Sequence, residues 1–256
     1  LAPAHNGVST TESNELMQLT KRLILQFATF AGASLNDSFY SFKLEQWGLK
    51  REVGEFFLDY VDRVIKSDIW LSENNGIDDL SVKKSAFMSE NTKTYKDTYY
   101  FSHACDTTVL NPLTGHRIPS ITTNPFFMLT SYEMGRYTND ENVDSKWWPN
   151  DGCVNTISSQ YPFGHPHKEV TDADMSFNPG IWNYFPAKVG FDHMDIVGIH
   201  SKLKVMYDIM PFFKEIAGRM VDTEKAVLKS VKKAETHEVH EKTTTKAKVS
   251  HKAEKK

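Results

Sequence analysis

Two cysteines in 256 residues, Cys105 and Cys153, are too few for a disulfide-rich scaffold or a four-thiolate zinc site. They permit one disulfide and leave the redox compartment open. No run approaches the roughly 18 consecutive apolar residues that a membrane-spanning helix needs. Neither charge sign dominates: 30 Lys and Arg stand against 33 Asp and Glu, a net of −3. That balance excludes a nucleic-acid binder working by bulk positive charge. The first residue is Leu1, with no basic-then-apolar leader after it, so the sequence reads as a processed chain or a piece of a longer protein. There is also no Gly-x-Ser-x-Gly, the strained strand-to-helix turn that carries a hydrolase serine; Gly7-Val-Ser and Gly32-Ala-Ser each lack the second glycine. What is present is a core-forming composition, 39% hydrophobic and 12% aromatic.

The average conceals a break. Residues Glu224–Lys256 hold ten lysines and five glutamates with no Arg or Asp, a net of +5, which leaves −8 for the rest. This segment has no Gly, Pro, Phe, Tyr or Trp. Val227, Leu228 and Val231 allow one short amphipathic helix. Beyond Ala234 the apolar surface is too small to offset ordering entropy, which predicts a disordered basic tail. The division is a body of residues 1–222 and a Lys-rich low-complexity tail of residues 223–256.

Within the body, Leu1–Gly7 reads as a strand end running into a turn. Thr11 to about Gly32 reads as a helix that is apolar over more than one stripe. Glu52–Ser67 has clean amphipathic spacing, and Ser81 to about Asn91 gives a shorter helix. Thr98–Ala104 is an aromatic-rich strand, and Asn124–Met134 a short helix with Pro125 near its start. Trp147–Phe191 carries Pro, Gly and Asn at close intervals and reads as an ordered, functional loop region. Val205–Met220 closes the body as a helix. Helices alternating with a few strands predict an α/β fold.

Among ten histidines, His165 and His167 form a Gly-His-Pro-His pair that could hold a metal but lacks further spaced ligands. His103 ends the aromatic strand, where a packed imidazole is the ordinary reading. Asn150-Asp151-Gly152 puts an acid at a tight turn, and Phe191-Asp-His193-Met-Asp195 puts an imidazole beside two carboxylates before the last helix. An acid on a loop followed by a late-loop histidine is the chain order of α/β-hydrolases, in which the acid orients the imidazole that deprotonates a serine.

Several longer stretches carry a resemblance. Ala2-Pro-Ala-His-Asn-Gly7, Tyr40-Ser-Phe-Lys-Leu-Glu-Gln-Trp-Gly-Leu-Lys-Arg51, Asp79-Leu-Ser81, Asp97-Thr-Tyr-Tyr100 and Asn150-Asp-Gly-Cys-Val-Asn-Thr-Ile-Ser158 follow one another, with Gly180-Ile-Trp182 and Asp192-His193 beyond them. In that order they resemble the C-terminal half of bacterial triacylglycerol lipases of the staphylococcal and thermoalkalophilic Geobacillus group, over about residues 1–220. The resemblance implies the C-terminal part of an α/β-hydrolase fold: a few mainly parallel strands flanked by helices, with a helical lid at the first long helix. It implies that Asp151 is the triad acid and His193 the triad base, with the serine and oxyanion donors upstream of His5.

The resemblance also implies metals. The family's calcium ligand two residues after the catalytic histidine falls on Asp195, but its second acid falls on His200, a poor partner for a hard cation. A backbone carbonyl near Thr122 would be a further ligand. The family's zinc aspartate falls at Glu73 or Asn74, with Asn74 on the aspartate position itself. The function implied is hydrolysis of carboxylic ester bonds of lipids at a lipid–water interface by a secreted enzyme, with no nucleic-acid partner and no transmembrane segment. The rival is a lipase-like protein that has lost catalysis and serves as a lipid-binding or interaction module; an upstream Gly-x-Ser-x-Gly would separate the two.

Overall fold

The computed structural model describes residues 1–13, 15–17, 21, 44–72, 76–139, 141–198 and 209–253, which fall into two units, Leu1–Val205 and Met206–Lys256. In the first unit, a 3-10 turn at Ser9–Thr11 leads to a helical stretch at 15–17. The rest of the expected lid helix lies outside the described residues. Helix α1, Phe57–Ile65, sits inside the expected 52–67 span and starts late because Gly54, at φ +84°, turns the chain first. Tyr60 and Val64, one turn apart, are buried on it. Helix α2, Val82–Asn91, begins where Ser81 accepts a hydrogen bond from the Lys84 amide at 3.2 Å, an N-cap.

Strand β1, Tyr100–Asp106, confirms the aromatic strand and extends it through Cys105 and Asp106. Its last five residues are all buried, as expected of a strand in a parallel sheet covered on both faces. A hairpin of β2, Thr108–Leu110, and β3, Arg117–Pro119, follows and was not anticipated. The 3-10 turn Pro125–Phe127 runs into helix α3, Met128–Met134. Asn124 starts it by accepting the Phe126 amide at 3.1 Å, and Pro125 occupies the first turn, where its missing N–H is not needed.

The Trp147–Phe191 region departs from the expected loop. It contains β4, His167–Glu169, and β5, Trp182–Val189, and β5 is the central strand of a three-stranded parallel sheet ordered β1-β5-β4. Pro186 hid it, since proline cannot donate to a ladder and argues against a central strand. The register resolves the conflict. Glu169 pairs with Tyr184, the last residue of β5 that β4 reaches, and the β1 ladder shifts between His103 and Cys105, opposite Pro186. The proline therefore sits in a bulge. His103, 6% exposed, stacks on the Phe185 ring at 4.2 Å and is a packed residue.

The second unit corrects the expectation of a disordered basic tail: helix α5 runs unbroken from Met210 to Ala253. The physical reason is the composition. Lys, Glu and Ala are strong helix formers, and no glycine or proline interrupts the segment after Gly218, so local propensity favours a helix along it. Among the described residues, no helix is long and apolar enough to cross a membrane.

Candidate active site

The site is assembled at the C-terminal ends of β1 and β5, where loops of open parallel sheets converge. The acid loop is tied to the end of β1: the Thr107 amide donates to the Asn150 carbonyl at 2.9 Å, and Thr156 Oγ1 donates to the Cys105 carbonyl at 2.6 Å. The base loop follows β5 directly, with the Gly190 amide on the Asp106 carbonyl at 2.7 Å.

Asn150, Asp151 and Asn155 are fully buried, so each polar atom must find a partner inside the protein. Asn150 Nδ2 donates to the Trp148 and Ser131 carbonyls at 2.8 and 3.1 Å, and its Oδ1 accepts the Gly152 amide at 2.9 Å. Asn155 Nδ2 holds the Trp147 carbonyl and Ser9 Oγ at 2.6 and 2.9 Å, while its Oδ1 accepts the Ser9 amide at 2.8 Å. Asp151 Oδ1 accepts the amides of Cys153 at 2.9 Å and Val154 at 2.7 Å. Gly152 makes this turn feasible. It sits at φ +92°, and a Cβ there would lie 2.4 Å from Phe127 Cβ.

The second oxygen, Asp151 Oδ2, meets His193 Nδ1 at 2.9 Å, and the His193 amide donates to the Asp151 carbonyl at 3.0 Å. Two bonds thus fix both the ring and the start of its helix against the acid loop. His193 opens the short helix α4, His193–Ile196, whose capping box is reciprocal: Asp192 Oδ1 accepts the Asp195 amide and Asp195 Oδ2 accepts the Asp192 amide, both at 3.1 Å. Asp192 Oδ2 also accepts the Asn124 amide at 2.8 Å. The Asn124 contribution was invisible in the sequence beyond a helix-start signal. Phe127 and Met194, both buried, pack beneath with Phe126 and Cys153 around them.

Burial pulls the His193 pKa down, but the Asp151 charge, its hydrogen bond and the Asp192 charge outweigh it, and the net shift is upward. The imidazolium is thereby favoured. With Nδ1 held by Asp151, Nε2 is the ring nitrogen left for proton transfer. Nearby, Cys105 and Cys153 are free thiols, so the disulfide the sequence permitted is not formed. Burial, the largest cause, and the Asp151 charge push both thiols well up, which keeps them protonated and unreactive.

The metal expectations fare differently. Glu73, Asn74 and His200 lie outside the described residues. Asp195 is 6% exposed and already serves the capping box. Thr122 Oγ1 donates to the Gly190 carbonyl at 3.0 Å. Among the described residues, no three His, Cys, Asp or Glu side chains cluster as a metal site would. His165 and His167 do not form a chelate either. His165 Nε2 is held by the Ser89 carbonyl and His167 Nδ1 by the His165 carbonyl, each at 2.8 Å, and the His167 ring stacks on Tyr161.

An acid and an imidazole carried on loops beyond the strands of one parallel sheet are how α/β-hydrolases are built, and this chain has that class of fold. It belongs to the lipase-like, C-terminal domain family, whose model matches residues 1–233. It is 29% identical to Lipase 1 of Staphylococcus aureus over 227 residues, 88% of this chain and 32% of that protein. It therefore spans about a third of the length of this curated relative. Two solved structures are similar. Staphylococcus hyicus lipase is 29% identical with a TM-score of 0.65, covering 88% of this chain and 56% of that one. EstA from Clostridium botulinum is 33% identical with a TM-score of 0.66, covering 76% and 47%.

Proposed function

We propose that this chain supplies the acid and base of a serine-dependent lipid ester hydrolase, acting outside the cell at a lipid–water interface, whose nucleophile and oxyanion donors come from another part of the parent protein. The carrying observation is the 2.9 Å bond between His193 Nδ1 and the fully buried Asp151 carboxylate, whose other oxygen is locked by two amides. Asp151 then holds one tautomer, with the proton on Nδ1. His193 Nε2 takes the serine proton as the alkoxide attacks the ester carbonyl. The resulting imidazolium, stabilised by Asp151, returns that proton to the departing alcohol, and the acyl-serine is hydrolysed by the same relay using water. The upward shift of His193 favours this imidazolium.

No metal enters the scheme. Asp195 acts by capping α4 and so positions His193. Calcium, with one engaged carboxylate and an imidazole at the second position, binds weakly at best; calorimetric detection of tight calcium binding that Asp195→Ala abolishes would overturn this.

The test of the catalytic reading uses the parent protein. Covalent labelling of its serine by a fluorophosphonate should persist at a much reduced rate in His193→Ala, while turnover of a short-chain p-nitrophenyl ester collapses. Near-normal turnover in that variant would refute the assignment. A parent sequence without an upstream nucleophile elbow would favour the non-catalytic lipid-binding alternative.

A further inference from the structure

Helix α5 carries a feature that the hydrolase reading leaves unused. Met220, Val221, Leu228 and Val231 are exposed apolar residues on it, and Val227 is half-buried. The spacing 220, 221, 227, 228, 231 puts them on one stripe of a helix, broken only by Glu224. Among the described residues of its own unit this helix has no second element on which to bury the stripe. Lys225 and Lys232 follow Val221 and Leu228 by one turn each and line the edge of the stripe, with Lys229 and Lys233 beyond them. All four lysines are exposed. Thr223 and Ser230 turn their hydroxyls back onto the carbonyls of Arg219 and Val227 at 2.7 Å, so the opposite flank adds no charge there.

We propose that this helix is an interfacial anchor for anionic lipid surfaces, lying with the 220–231 stripe in the headgroup boundary and its lysines against acidic lipid. The charge selects this occupant. A second copy would set lysine rows against lysine rows, since residues 224–256 carry +5 net, whereas an anionic bilayer offers both an apolar layer and opposite charge. A lysine stem can lie along apolar surface while its ammonium reaches the headgroups. The inference is independent of the catalytic reading, because nothing in it uses Asp151 or His193.

The experiment is vesicle flotation with the full 256-residue chain, in which aggregated protein stays at the bottom. Vesicles of phosphatidylcholine alone are compared with vesicles containing equal phosphatidylcholine and phosphatidylglycerol. Binding to the anionic vesicles should be at least about tenfold tighter and should fall steeply with added salt. Two variants should each weaken it about tenfold: Leu228→Glu with Val231→Glu, which breaks the stripe, and Lys225, Lys229, Lys232 and Lys233 all →Gln, which keeps helix propensity while removing charge. Circular dichroism of both variants checks that the helix persists. His193→Ala should float as the unmodified chain does, which separates failure of this proposal from failure of the catalytic one. Equal binding to both vesicle types, no binding to either, or full binding by the lysine variant with its helix intact would overturn the proposal. A salt-sensitive dimer in place of vesicle binding would assign the stripe to a second copy.

Discussion

The loops around Asp151 and His193 and the helix Met210–Ala253 satisfy their polar groups in opposite ways. In the loops, Asn124, Asn150, Asp151, Asn155 and Asp192 are at most 2% exposed and bridge segments far apart in sequence; Asn155 meets Ser9 across 146 residues and Asp192 meets Asn124 across 68. In the helix, the bonds of Arg219 to Glu215, Thr223 to the Arg219 carbonyl and Ser230 to the Val227 carbonyl each span three or four residues. Buried long-range polar contacts form one interdependent network, in which losing a member leaves partners unsatisfied. Local surface contacts are close to additive and individually small. The site should therefore be brittle and the helix forgiving.

The largest expected contrast is in turnover. Asp151→Asn or His193→Ala in the parent protein should reduce kcat for ester hydrolysis by on the order of 10³–10⁴, because acid, base and nucleophile act as a unit. The fold should survive His193→Ala, whose ring is more than a quarter exposed on its side chain, with a side-chain accessibility of 28%. Steady-state kinetics beside circular dichroism read both. A residue of the helix, such as Lys229→Ala, should change kcat on a soluble ester by less than about twofold, since it touches none of this chemistry.

Gly152→Ala should cost stability rather than chemistry alone. A Cβ there meets Phe127 Cβ at 2.4 Å, and φ of +92° is strained for alanine. The two penalties together come to about 2–4 kcal/mol. Urea denaturation should show it as a shifted midpoint with an unchanged slope. By contrast Gly218→Ala, in the helix, has nothing within 4 Å of its added Cβ and should stabilise by about 0.5–1 kcal/mol. Equal effects at the two glycines would break the comparison.

A finer test addresses the electrostatics of the pair. The His193 pKa is raised because the Asp151 and Asp192 charges overcome burial. Removing one of those charges in Asp151→Asn should let burial prevail and move the His193 titration, followed by proton NMR, downward. The sign also fixes a stability profile. A group whose folded pKa is raised stabilises below its unfolded pKa, near 6.5, and loses that contribution as pH rises through the folded value. The Asp151–His193 contribution should therefore shrink from acid to alkaline pH. An unmoved or raised titration in Asp151→Asn would show that the aspartate is not charged against the ring.

The two regions were also unequally legible. Asp151 and His193 stood out through their order along the chain and through the resemblance carried by the stretches around them, since each motif alone reads as an ordinary turn or a structural histidine; the two side chains meet at 2.9 Å. The strand that delivers His193 could not be read, because Pro186 and Asn183 contradict a central strand locally; only the pairing register with β1 and β4 shows that the proline occupies a bulge and that Asn183 Nδ2 bonds the Tyr100, Asn178 and Ile181 carbonyls at 3.1, 2.9 and 3.2 Å. Asn124 was hidden for a related reason, since its amide serves a carboxylate 68 residues away. The tail failed in the other direction. Disorder was inferred from missing apolar surface, while the propensity of Lys, Ala and Glu acts without any partner.

The smallest expected effect sharpens the comparison most. Deleting residues 223–256 should change the thermal midpoint of the body by no more than about 2 °C. The hydroxyl bonds of Thr223 and Ser230 close within four positions, and Lys225 with Asp222, 4.0 Å apart, is an exposed pair of little worth. The chain's net charge would move from −3 to −8, since the +5 of residues 224–256 leaves with them. Any residual shift should therefore be a repulsion among surface acids that about 0.3 M salt removes. Differential scanning calorimetry of the two lengths, at low and raised ionic strength, decides it. A drop of many degrees that salt does not restore would show that the helix is held by contacts of the long-range kind, and the division between a brittle site and a forgiving helix would fail at that point.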